Sequence, residues 1–381
     1  MNIIDLKVQL LLVVIFWLTP RKYQLNILTV TGICYLIIAK QYYSLTLLAG
    51  LSLGSYCLAN IKVKPTITIL GLISIVIIFS AYKLFQNHEK ITGNSFVLIG
   101  ASFYCLRLIH YLSEAYKRSL PTHSLQQFLS YIFFLPTMVI GPINRFQDFI
   151  RDDYRRRWDS KLFISGIERV IFGYFKIVVL ANYLVATKLH AAAELSGGDS
   201  TAIGAYLLCL EYGLDLYFRF GGYSDIAIGI SAMMGFRIGE NFNFPFIKSN
   251  INKFWQNWHI SLSSWCRDYV YSPVASKLRN PALGVIASML ILGLWHEASF
   301  RYLAWGMYHG IGIVIWRYWY EFKTLIPTKL ILPRLISLPL AILLTFNFVI
   351  LSFVITRTES LFVAKDIYLT IFKGGLCIFG C

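Results

Sequence analysis

The chain has 381 residues, of which 57% are hydrophobic and only 14% are charged. Soluble domains carry about 25% charged residues, so this composition excludes an ordinary water-soluble globular fold. The formal charge is +16, from 35 Lys and Arg against 19 Asp and Glu. Because no basic run stands outside the hydrophobic segments, this excess indicates basic loops on the cytoplasmic side of a membrane, and we expect no nucleic-acid partner.

Apolar runs of spanning length follow one another along the chain. A helix needs roughly 20 mostly apolar residues to cross a bilayer. The sequence predicts an all-α polytopic membrane protein with about eleven spans, at 8–19, 25–39, 43–60, 66–86, 95–112, 164–187, 200–218, 283–299, 302–320, 335–356 and 361–376. The first run has no small-residue cleavage site and precedes Arg21 and Lys22, so we interpret it as a span and not as a signal peptide. No internal repeat or linker divides the chain, which predicts one membrane domain over residues 1–381.

The segment Gln127–Ile143 is apolar but contains Pro136, Gly141 and Pro142. The loop that follows it is rich in arginine, with Arg145, Arg151, Arg155, Arg156 and Arg157. A full crossing at 127–143 would place these arginines outside, against the positive-inside rule. We therefore predict a re-entrant segment broken near Pro136 and Gly141, with the N-terminus outside and the C-terminus inside. Non-helical backbone at membrane depth is tolerated where it packs on protein or lines a wet cavity, so the segment predicts a chamber.

Residues 252–271 have helical periodicity. At 100° per residue, one broad stripe carries Phe254, Trp255, Trp258, Leu262, Trp265 and Tyr269. Such a face is typical of an interfacial helix lying in the membrane plane, and equally of an ordinary packed amphipathic helix. Arg267 and Asp268 are neighbours and would point about 100° apart on one helix, so we expect each to bond a different element of the fold.

Metal and cofactor motifs are absent from the sequence. The seven cysteines are scattered without a CxxC pair or ligand spacing, which argues against a disulfide framework or a zinc site. There is no nucleophile elbow, Walker loop, dinucleotide-binding glycine motif or HExxH motif. We expect no metal and no tightly bound cofactor.

His296 is the histidine that the sequence singles out. It follows the uncharged apolar stretch Met289–Trp295 and precedes Glu297. A histidine and an acid beside a hydrocarbon run are unfavourable unless they face protein or a water-filled cavity, and imidazole transfers protons near neutral pH. A catalytic, a structural and an ion-path role all fit this position. His309 lies mid-span, where a packed and hydrogen-bonded core histidine is the simpler interpretation.

The triplet Tyr223-Ser224-Asp225 places an acid at the start of the apolar run Ile226–Met234. Ser224 or Asp225 could cap that helix by accepting hydrogen bonds from its free N–H groups. A role in a polar functional site is the alternative.

Four stretches, in order, resemble the membrane-bound O-acyltransferase family in its bacterial alginate O-acetylation branch. They are Ser130–Phe149, Gly221–Phe246, Ile251–Tyr271 and Leu292–Gly310. The resemblance extends over about residues 95–320, the expected acyltransferase core, and leaves 1–94 and 321–381 as peripheral spans. It implies a ring of tilted helices around a central tunnel, which joins a cytoplasmic acyl-donor entrance to an external acceptor funnel.

The resemblance also implies site residues. The family's catalytic histidine corresponds to His296 in Leu294-Trp295-His296, and its second functional histidine to His259 in Trp258-His259-Ile260. The matched stretches supply the expected substrate and tunnel residues Tyr223, Ser224, Asp225, Asn241, Trp255, Trp258, Arg267, Asp268 and Trp295. Among the departures from the family pattern, Arg219 replaces an acid, Gly221 replaces a serine and Glu297 replaces a glycine.

These residues lead to a hypothesis of acyl transfer. His296 would act as general base on a hydroxyl of a cell-envelope glycan, and the alkoxide would attack a cytoplasmic thioester, with acetyl as the expected acyl group. The donor is acetyl-CoA or an acyl carrier, and transfer is direct or passes through a partner on the outer side of the bacterial cytoplasmic membrane. Two alternatives stay open: transfer of D-alanine from a carrier protein to teichoic acid, and a transporter whose intramembrane His and Asp carry protons.

The arginine-rich loop provides a test of the predicted topology. A cysteine replacing Arg151 in a cysteine-free background is expected to react with a membrane-impermeant maleimide only after the membrane is opened, because the positive-inside rule places this loop in the cytoplasm. A cysteine replacing Lys40, in a loop predicted outside, is the control and should react in intact cells. Labelling of Arg151→Cys in intact cells would mean that 127–143 crosses the membrane fully.

Overall fold

The computed structural model describes residues 6–60, 65–92, 98, 100–325 and 333–373, and every secondary-structure element in these ranges is a helix. The predicted all-α class is confirmed for this part of the chain. Two compact units are present, one of residues 1–174 and 223–240 and the other of residues 175–222 and 241–381. Among the basic loop residues expected on the cytoplasmic side, Lys62, Lys64 and Lys329 lie outside the described residues.

The first unit contains the N-terminal helices. They are α1 Leu6–Leu18, α2 Arg21–Ile38, α3 Tyr42–Asn60, α4 Pro65–Thr92, α5 Ala101–Tyr116, α6 Leu125–Ile132, α7 Leu135–Met138, α8 Phe146–Arg155 and α9 Ser160–Phe175. Helix α5 packs on α3 and α4, and α6 packs on α2. The last turns of α11, which runs from Ala202 to Met233, also belong to this unit.

The segment 127–143 is broken, as predicted. Helix α6 ends at Ile132, α7 has only four residues, and irregular backbone follows with a φ of +140° at Gly141. Pro136 lies in the first turn of α7, where its missing N–H leaves no helical hydrogen bond unmade. Its re-entrant placement in a membrane stays a prediction.

Arg107 of α5 stabilises this break. Its side chain is 1% exposed and donates from Nη1 to the carbonyl oxygens of Tyr131 at 3.3 Å and Ile132 at 3.4 Å. Its Nη2 donates to the Thr137 hydroxyl at 2.5 Å and to the Thr137 carbonyl. These are the carbonyls that the helix ends release, and a buried carbonyl without a partner would cost roughly 1–3 kcal/mol. No motif in the sequence indicates this role of Arg107.

Helix α9 and the end of α11 touch through their backbones in the first unit. A Cβ on Gly229 would lie 2.5 Å from the Gly166 carbonyl oxygen, and a Cβ on Gly166 would lie 2.7 Å from the Gly229 carbonyl oxygen. Only glycine allows such an approach, which is a common device for packing helices in membranes.

The second unit contains the helices that carry the predicted histidines. After α9, a π-helical stretch Lys176–Leu189 continues into α10 His190–Leu195, and α11 begins at Ala202. The remaining helices are α12 Ile251–Trp255, α13 Ile260–Cys266, a π-helical turn Arg267–Tyr271, α14 Ser272–Leu278, α15 Pro281–His296, α16 Phe300–Lys323, α17 Arg334–Arg357 and α18 Leu361–Lys373. Short 3₁₀ turns lie at Gly198–Ser200 and Pro245–Ile247.

The structure corrects two predictions about local backbone. Residues 252–271 are not one helix, because the chain leaves α12 after Trp255 and adopts a left-handed conformation at His259, with φ +43°, before α13. The stripe was nevertheless informative, since Trp258 and Leu262 are buried on either side of the break. The triplet at 223–225 is not a helix N-cap, because α11 continues through it to Met233.

Within the described ranges, three helical segments are long and apolar enough to cross a membrane, at Pro65–Gln86, Ser160–Leu195 and Leu335–Arg357. The helices Leu6–Leu18 and Pro281–His296 are apolar but shorter. Each of the eleven predicted spans overlaps a helix among the described residues. The predicted helical segments are thus present. The predicted number of membrane crossings is not confirmed, because three of these segments are both long and apolar enough to cross.

Helices α15 and α16 of the second unit pack closely against each other. A Cβ on Gly293 would lie 2.2 Å from the Tyr302 carbonyl oxygen, and one on Gly306 would lie 2.4 Å from the Met289 carbonyl oxygen. No side chain fits between these backbones, so their spacing is fixed by glycine at both positions. The C-terminal residue of α15 is His296, and its position therefore depends on this contact.

The Gly306 contact predicts a large effect of a single methyl group. Gly306→Ala is expected to destabilise the protein by roughly 1–3 kcal/mol, because the added carbon overlaps backbone that cannot move aside. Gly54→Ala on α3 is the control, since a Cβ there meets nothing within 4 Å. The control should be neutral or stabilising by about 0.5–1 kcal/mol, the usual helix preference of alanine over glycine. Thermal unfolding in detergent measures both, and equal melting temperatures for the two variants would contradict the packing argument.

Candidate active site

His259 lies in the short irregular segment between α12 and α13. Asn241, which is 0% exposed, anchors this segment, because its carbonyl oxygen accepts from Ile260 N at 2.9 Å and its Oδ1 accepts from Ser261 Oγ at 2.9 Å. Asn243 N donates to the Asn257 carbonyl oxygen at 3.0 Å. Backbone groups that the helix break releases are thereby paired, and the left-handed residue His259 is held at a defined position.

The His259 imidazole is buried among aromatic rings. It is 2% exposed, packs edge-on against Phe220 with 4.7 Å between centroids, and lies 5.8 Å from the Trp295 ring. Its Nε2 has no hydrogen-bond partner among the residues that the structure describes. Burial, followed by the proximity of His296, lowers the pKa of His259 well below its usual value. The ring is therefore neutral at pH 7 and has one nitrogen lone pair to offer.

His296 ends α15 and is exposed, in contrast to His259. Its ring lies 4.8 Å from Trp295, 5.7 Å from Trp305 and 5.8 Å from Tyr302 between centroids. Three aromatic neighbours restrict the directions that the imidazole can take, while its exposure leaves it accessible to a second molecule.

His259 and His296 line one small cavity of about 100 Å³ within the second unit, and His309 also borders it. Aromatic side chains form much of the rest of the wall, and they are Tyr212, Phe220, Phe254, Trp255, Trp258, Tyr302, Trp305 and Phe353. The predicted residues His296, His259, Trp255 and Trp258 are thus brought together. Trp295 contacts both histidines, and Asn241 holds the backbone just after His259. Tyr302 and Trp305 were not predicted, although their spacing after His296 places them on the matched stretch.

His309 is a packed core histidine, as expected. Its side chain is 1% exposed, its Nδ1 lies 3.3 Å from Trp255 Nε1, and its Nε2 lies 2.9 Å from Ser352 Oγ. The indole N–H can only donate, so Nδ1 is the acceptor and Nε2–H donates to the serine, whose hydroxyl donates to the Val349 carbonyl at 2.6 Å. Both ring nitrogens of His309 and the Ser352 hydroxyl are therefore paired, which fits a structural role for His309.

Glu297, the acid next to His296, is held by Arg301, the second residue of α16. Arg301 Nη2 donates to both carboxylate oxygens, at 2.9 and 2.8 Å, and the two side chains are 11% and 19% exposed. Arg301 Nη1 also donates to the Thr356 carbonyl at 3.3 Å and to the Thr358 carbonyl. The arginine therefore connects the α15–α16 turn to the end of α17, directly beside the exposed histidine.

The Arg267–Asp268 prediction is wrong. Arg267 Nε donates to Asp268 Oδ1 at 3.0 Å, so the neighbours do pair. The reason lies in the π-helical turn Arg267–Tyr271, whose wider winding reduces the angle between consecutive side chains, and in the length of the arginine chain. The pair is 65% and 37% exposed, and such surface pairs stabilise a fold by only about 0–1 kcal/mol.

A second cavity of about 510 Å³ lies beside α12, α13, α15 and α16. Its wall is largely apolar, with Arg267, Arg317 and Gln256 among its polar residues. Trp255 lines this cavity and also the histidine cavity. The Trp255 indole therefore lies between the 510 Å³ cavity and the smaller cavity lined by His259 and His296.

The predicted residues Tyr223, Ser224 and Asp225 belong to the first unit. Asp225 is 3% exposed and accepts from Arg169 Nε at 2.6 Å, and Arg169 also donates to Glu240. Ser224 is buried in the same helix, one turn before Ala227 and Gly229 pack against their neighbours. The structure thus places Asp225 in an ion pair on α11, and the role of the triplet in substrate binding stays a prediction.

Comparison with known proteins decides the family. The model of the membrane-bound O-acyltransferase family matches residues 48–356, which is most of the chain. This protein belongs to the membrane-bound O-acyltransferase family. The match includes all four stretches that carried the resemblance, together with the elements around both cavities. Membership in this family implies an acyl-donor substrate and a membrane protein.

Curated members of the family match this chain over different shares of their own lengths. A protein named "Probable alginate O-acetylase AlgI" from Pseudomonas aeruginosa is 37% identical over 73% of this chain and 52% of its own length. A "Teichoic acid D-alanyltransferase" from Streptococcus thermophilus is 33% identical over 71% of each chain. A "Peptidoglycan O-acetyltransferase" from Helicobacter pylori is 29% identical over 77% of this chain and 62% of its own. The chain thus spans about half the length of the alginate relatives that it matches.

The Glu297–Arg301 pair predicts a stability difference between two ion pairs of equal spacing. Glu297→Gln leaves the partly buried Arg301 without its carboxylate, which is expected to lower the free energy of unfolding by roughly 1–3 kcal/mol. Glu321→Gln removes the partner of Arg317 in an exposed pair with the same four-residue spacing, and should cost no more than about 0.5 kcal/mol.

Chemical denaturation of both variants in the same detergent measures the difference. If Glu297→Gln were as stable as Glu321→Gln, the α15–α16 turn would not depend on this pair, and Glu297 would be a neutral replacement of the family's glycine.

Proposed function

We propose that this protein is a membrane-embedded O-acyltransferase, which moves a short acyl group, acetyl, from a cytoplasmic thioester to hydroxyls of an extracytoplasmic polysaccharide. The observation that carries the proposal is the small aromatic cavity lined by a buried, neutral His259 and an exposed His296. Two imidazoles with different access to solvent, on one cavity, suit proton transfer from an incoming alcohol. The protein acts on the polysaccharide directly or through a partner on the outer side.

His296 is the proposed general base. It removes the proton of the acceptor hydroxyl as the oxygen attacks the thioester carbonyl, forming a C–O bond and a tetrahedral oxyanion. Collapse of this intermediate breaks the C–S bond, and the imidazolium returns its proton to the departing thiolate. The exposed position of His296 lets the hydroxyl reach it, and the surrounding rings keep it oriented.

His259 and Trp305 are the proposed polar partners of the reacting groups. The Nε2 of His259 and the Nε1 of Trp305 are both buried without a hydrogen-bond partner among the described residues. A buried polar atom of this kind costs free energy unless a ligand satisfies it. The indole N–H can only donate, which suits the developing oxyanion, and His259 then orients the acceptor hydroxyl.

The cavity that shares Trp255 is the proposed place for the donor. A largely apolar wall suits the acyl chain and its carrier arm, and Arg267 and Arg317 supply positive charge to an anionic donor. The positive charge of the predicted inner loops is consistent with a multi-pass protein of the bacterial cytoplasmic membrane, with the donor arriving from the cytoplasm. Acetyl-CoA and an acyl carrier protein are the candidate donors.

D-alanyl transfer to teichoic acid is the second candidate. One specific observation favours it, since the Streptococcus thermophilus relative is matched over 71% of its own length, more than the 52% of the alginate relative. Both reactions transfer an acyl group from a thioester to a glycan hydroxyl, so the same cavity serves either. A proton-coupled transporter, the third alternative, has no feature of the structure in its favour.

The proposal predicts that both cavity histidines are needed for transfer. Inverted membrane vesicles that contain the protein should move radiolabelled acetyl from acetyl-CoA to envelope polysaccharide. His296→Gln keeps the size of the side chain and a hydrogen bond but not its basicity, and is expected to lower the rate by roughly 10²–10⁴. His259→Gln should lower it strongly as well, whereas His309→Gln, outside the proton path, should be milder.

The comparison requires variants of equal abundance and folding, measured by size-exclusion chromatography in detergent. Near-normal turnover of His296→Gln would remove this residue as the base and transfer the role to His259. Labelling by D-alanine on a carrier protein, with none from acetyl-CoA, would establish the second candidate. Absence of transfer from both donors, together with solute uptake driven by a pH gradient, would overturn the enzyme proposal.

A further inference from the structure

The first unit contains a cavity of a different chemical character. It measures about 650 Å³ and is lined by five arginines, two aspartates, a leucine and a glycine. Three of the arginines, Arg155, Arg156 and Arg157, are consecutive at the end of α8. Such a lining does not suit an acyl chain, and its excess of guanidinium groups favours an anion.

The two carboxylates of this cavity already have partners. Asp152 Oδ2 accepts from the backbone N–H of Arg237 at 2.7 Å, and Arg151 Nε lies 3.6 Å from its other oxygen. Asp159 Oδ1 accepts from Lys161 N at 3.0 Å at the start of α9, and its Oδ2 lies 3.8 Å from Arg237 Nη2. Both aspartates thus interact with other groups of the first unit, and their negative charge does not neutralise the remaining arginines of the cavity.

The remaining arginines of the lining that concern an anion are Arg155 and Arg157. Both are exposed, and within the described part of the chain neither has an ion pair or a hydrogen bond. Two free guanidinium groups, one residue either side of a buried arginine, face the same cavity. Guanidinium donors match the oxygens of a phosphate in pairs, which is why arginine is common in phosphate sites.

Arg156 is built into the base of this cavity. It is 5% exposed, donates from Nη2 to Asp153 Oδ1 at 3.0 Å, and lies over the rings of Phe16 and Phe236 at 4.7 and 5.2 Å. Its Nε has no partner among the described residues. Burial lowers the pKa of Arg156 to about 10, so it stays charged at neutral pH. A Cβ at position 235 would lie 2.8 Å from the Cγ of Arg156. Only a glycine at this position therefore leaves room for the arginine side chain.

We infer that this arginine cavity binds a phosphate-bearing group, through Arg155 and Arg157. The volume exceeds that of one phosphate, which fits a phosphate ester with its polar substituent. The sequence places the same loop at the cytoplasmic membrane surface, where two sources of this chemistry meet: the headgroup of an anionic phospholipid and a soluble phosphate ester. This site is distinct in composition from the histidine cavity, and its occupancy is measured without acyl transfer.

The test uses the full-length protein in nanodiscs and a pair of charge-matched double variants. R155Q/R157Q removes the two free guanidinium groups of the cavity. R118Q/R279Q removes two exposed arginines that lie outside it and likewise have no ion pair in the described chain. In one arm, inorganic pyrophosphate is titrated calorimetrically into protein in phosphatidylcholine nanodiscs. In the other arm, protein from nanodiscs containing phosphatidylglycerol is released and its retained lipid is counted by native mass spectrometry.

The wild type is expected to bind in at least one arm, with affinity or lipid retention reduced roughly tenfold or more in R155Q/R157Q and unchanged in R118Q/R279Q. Binding in the pyrophosphate arm identifies a soluble phosphate ester as the source, and binding in the lipid arm identifies a headgroup. Equal losses in both double variants would mean that total charge alone matters, and would overturn the site. So would absence of wild-type binding in both arms, whatever the outcome for acyl transfer.

Discussion

Backbone that leaves a helix inside an apolar protein exposes carbonyl and N–H groups that lipid cannot hydrate, and each of them needs a protein partner. The structure meets this constraint with different devices in its two units. In the first, the guanidinium of Arg107 pairs with carbonyls released between α6 and α7. In the second, Asn241 pairs with Ile260 and Ser261 just after the break between α12 and α13. The second break is the one that presents His259, so the candidate site depends on the hydrogen bonds of a buried asparagine.

His259 and His296 line the same cavity in different surroundings. His259 is enclosed by rings and keeps a buried, unpaired Nε2, whereas His296 is exposed at a helix end. Imidazole in each setting has a different balance between proton affinity and access. A third histidine, His309, shows the contrasting case, because Trp255 and Ser352 occupy both of its nitrogens. All three line the cavity, and the unpaired Nε2, more than burial, separates His259 from His309.

Much of the helical framework was predictable, because long apolar runs report helices whatever their neighbours. The same was true of the break near Pro136, where proline and glycine act locally. The failures concern residues whose partners are distant or whose backbone is unusual. Periodicity at 252–271 reported correctly which side chains are buried, but it contains no information on the left-handed residue at 259. The Arg267–Asp268 pair depends on a π-helical turn that no propensity indicates.

The candidate site was predictable to the extent that motifs carried it. Both histidines, Trp255 and Trp258 came from matched stretches, and the structure assembles them around one cavity. Tyr302 and Trp305 lay on a matched stretch without being recognised, since aromatic residues are common on helices of this composition. The roles of Arg107 and Arg301 could not be predicted, because their acceptors are carbonyls made available by the tertiary fold.

The glycine contact between α15 and α16 has a mechanical consequence for substrate size. Backbones that touch without intervening side chains cannot slide or separate gradually, so the wall that carries His296 behaves as a rigid surface. Any widening of the cavity must then come from α11, from the α12–α13 segment or from α17, whose side chains form the rest of the lining. A space of about 100 Å³ admits only a few heavy atoms. Under the proposed acyl transfer, the length of the acyl chain would be selected by how far these other walls yield, while the position of His296 stays constant.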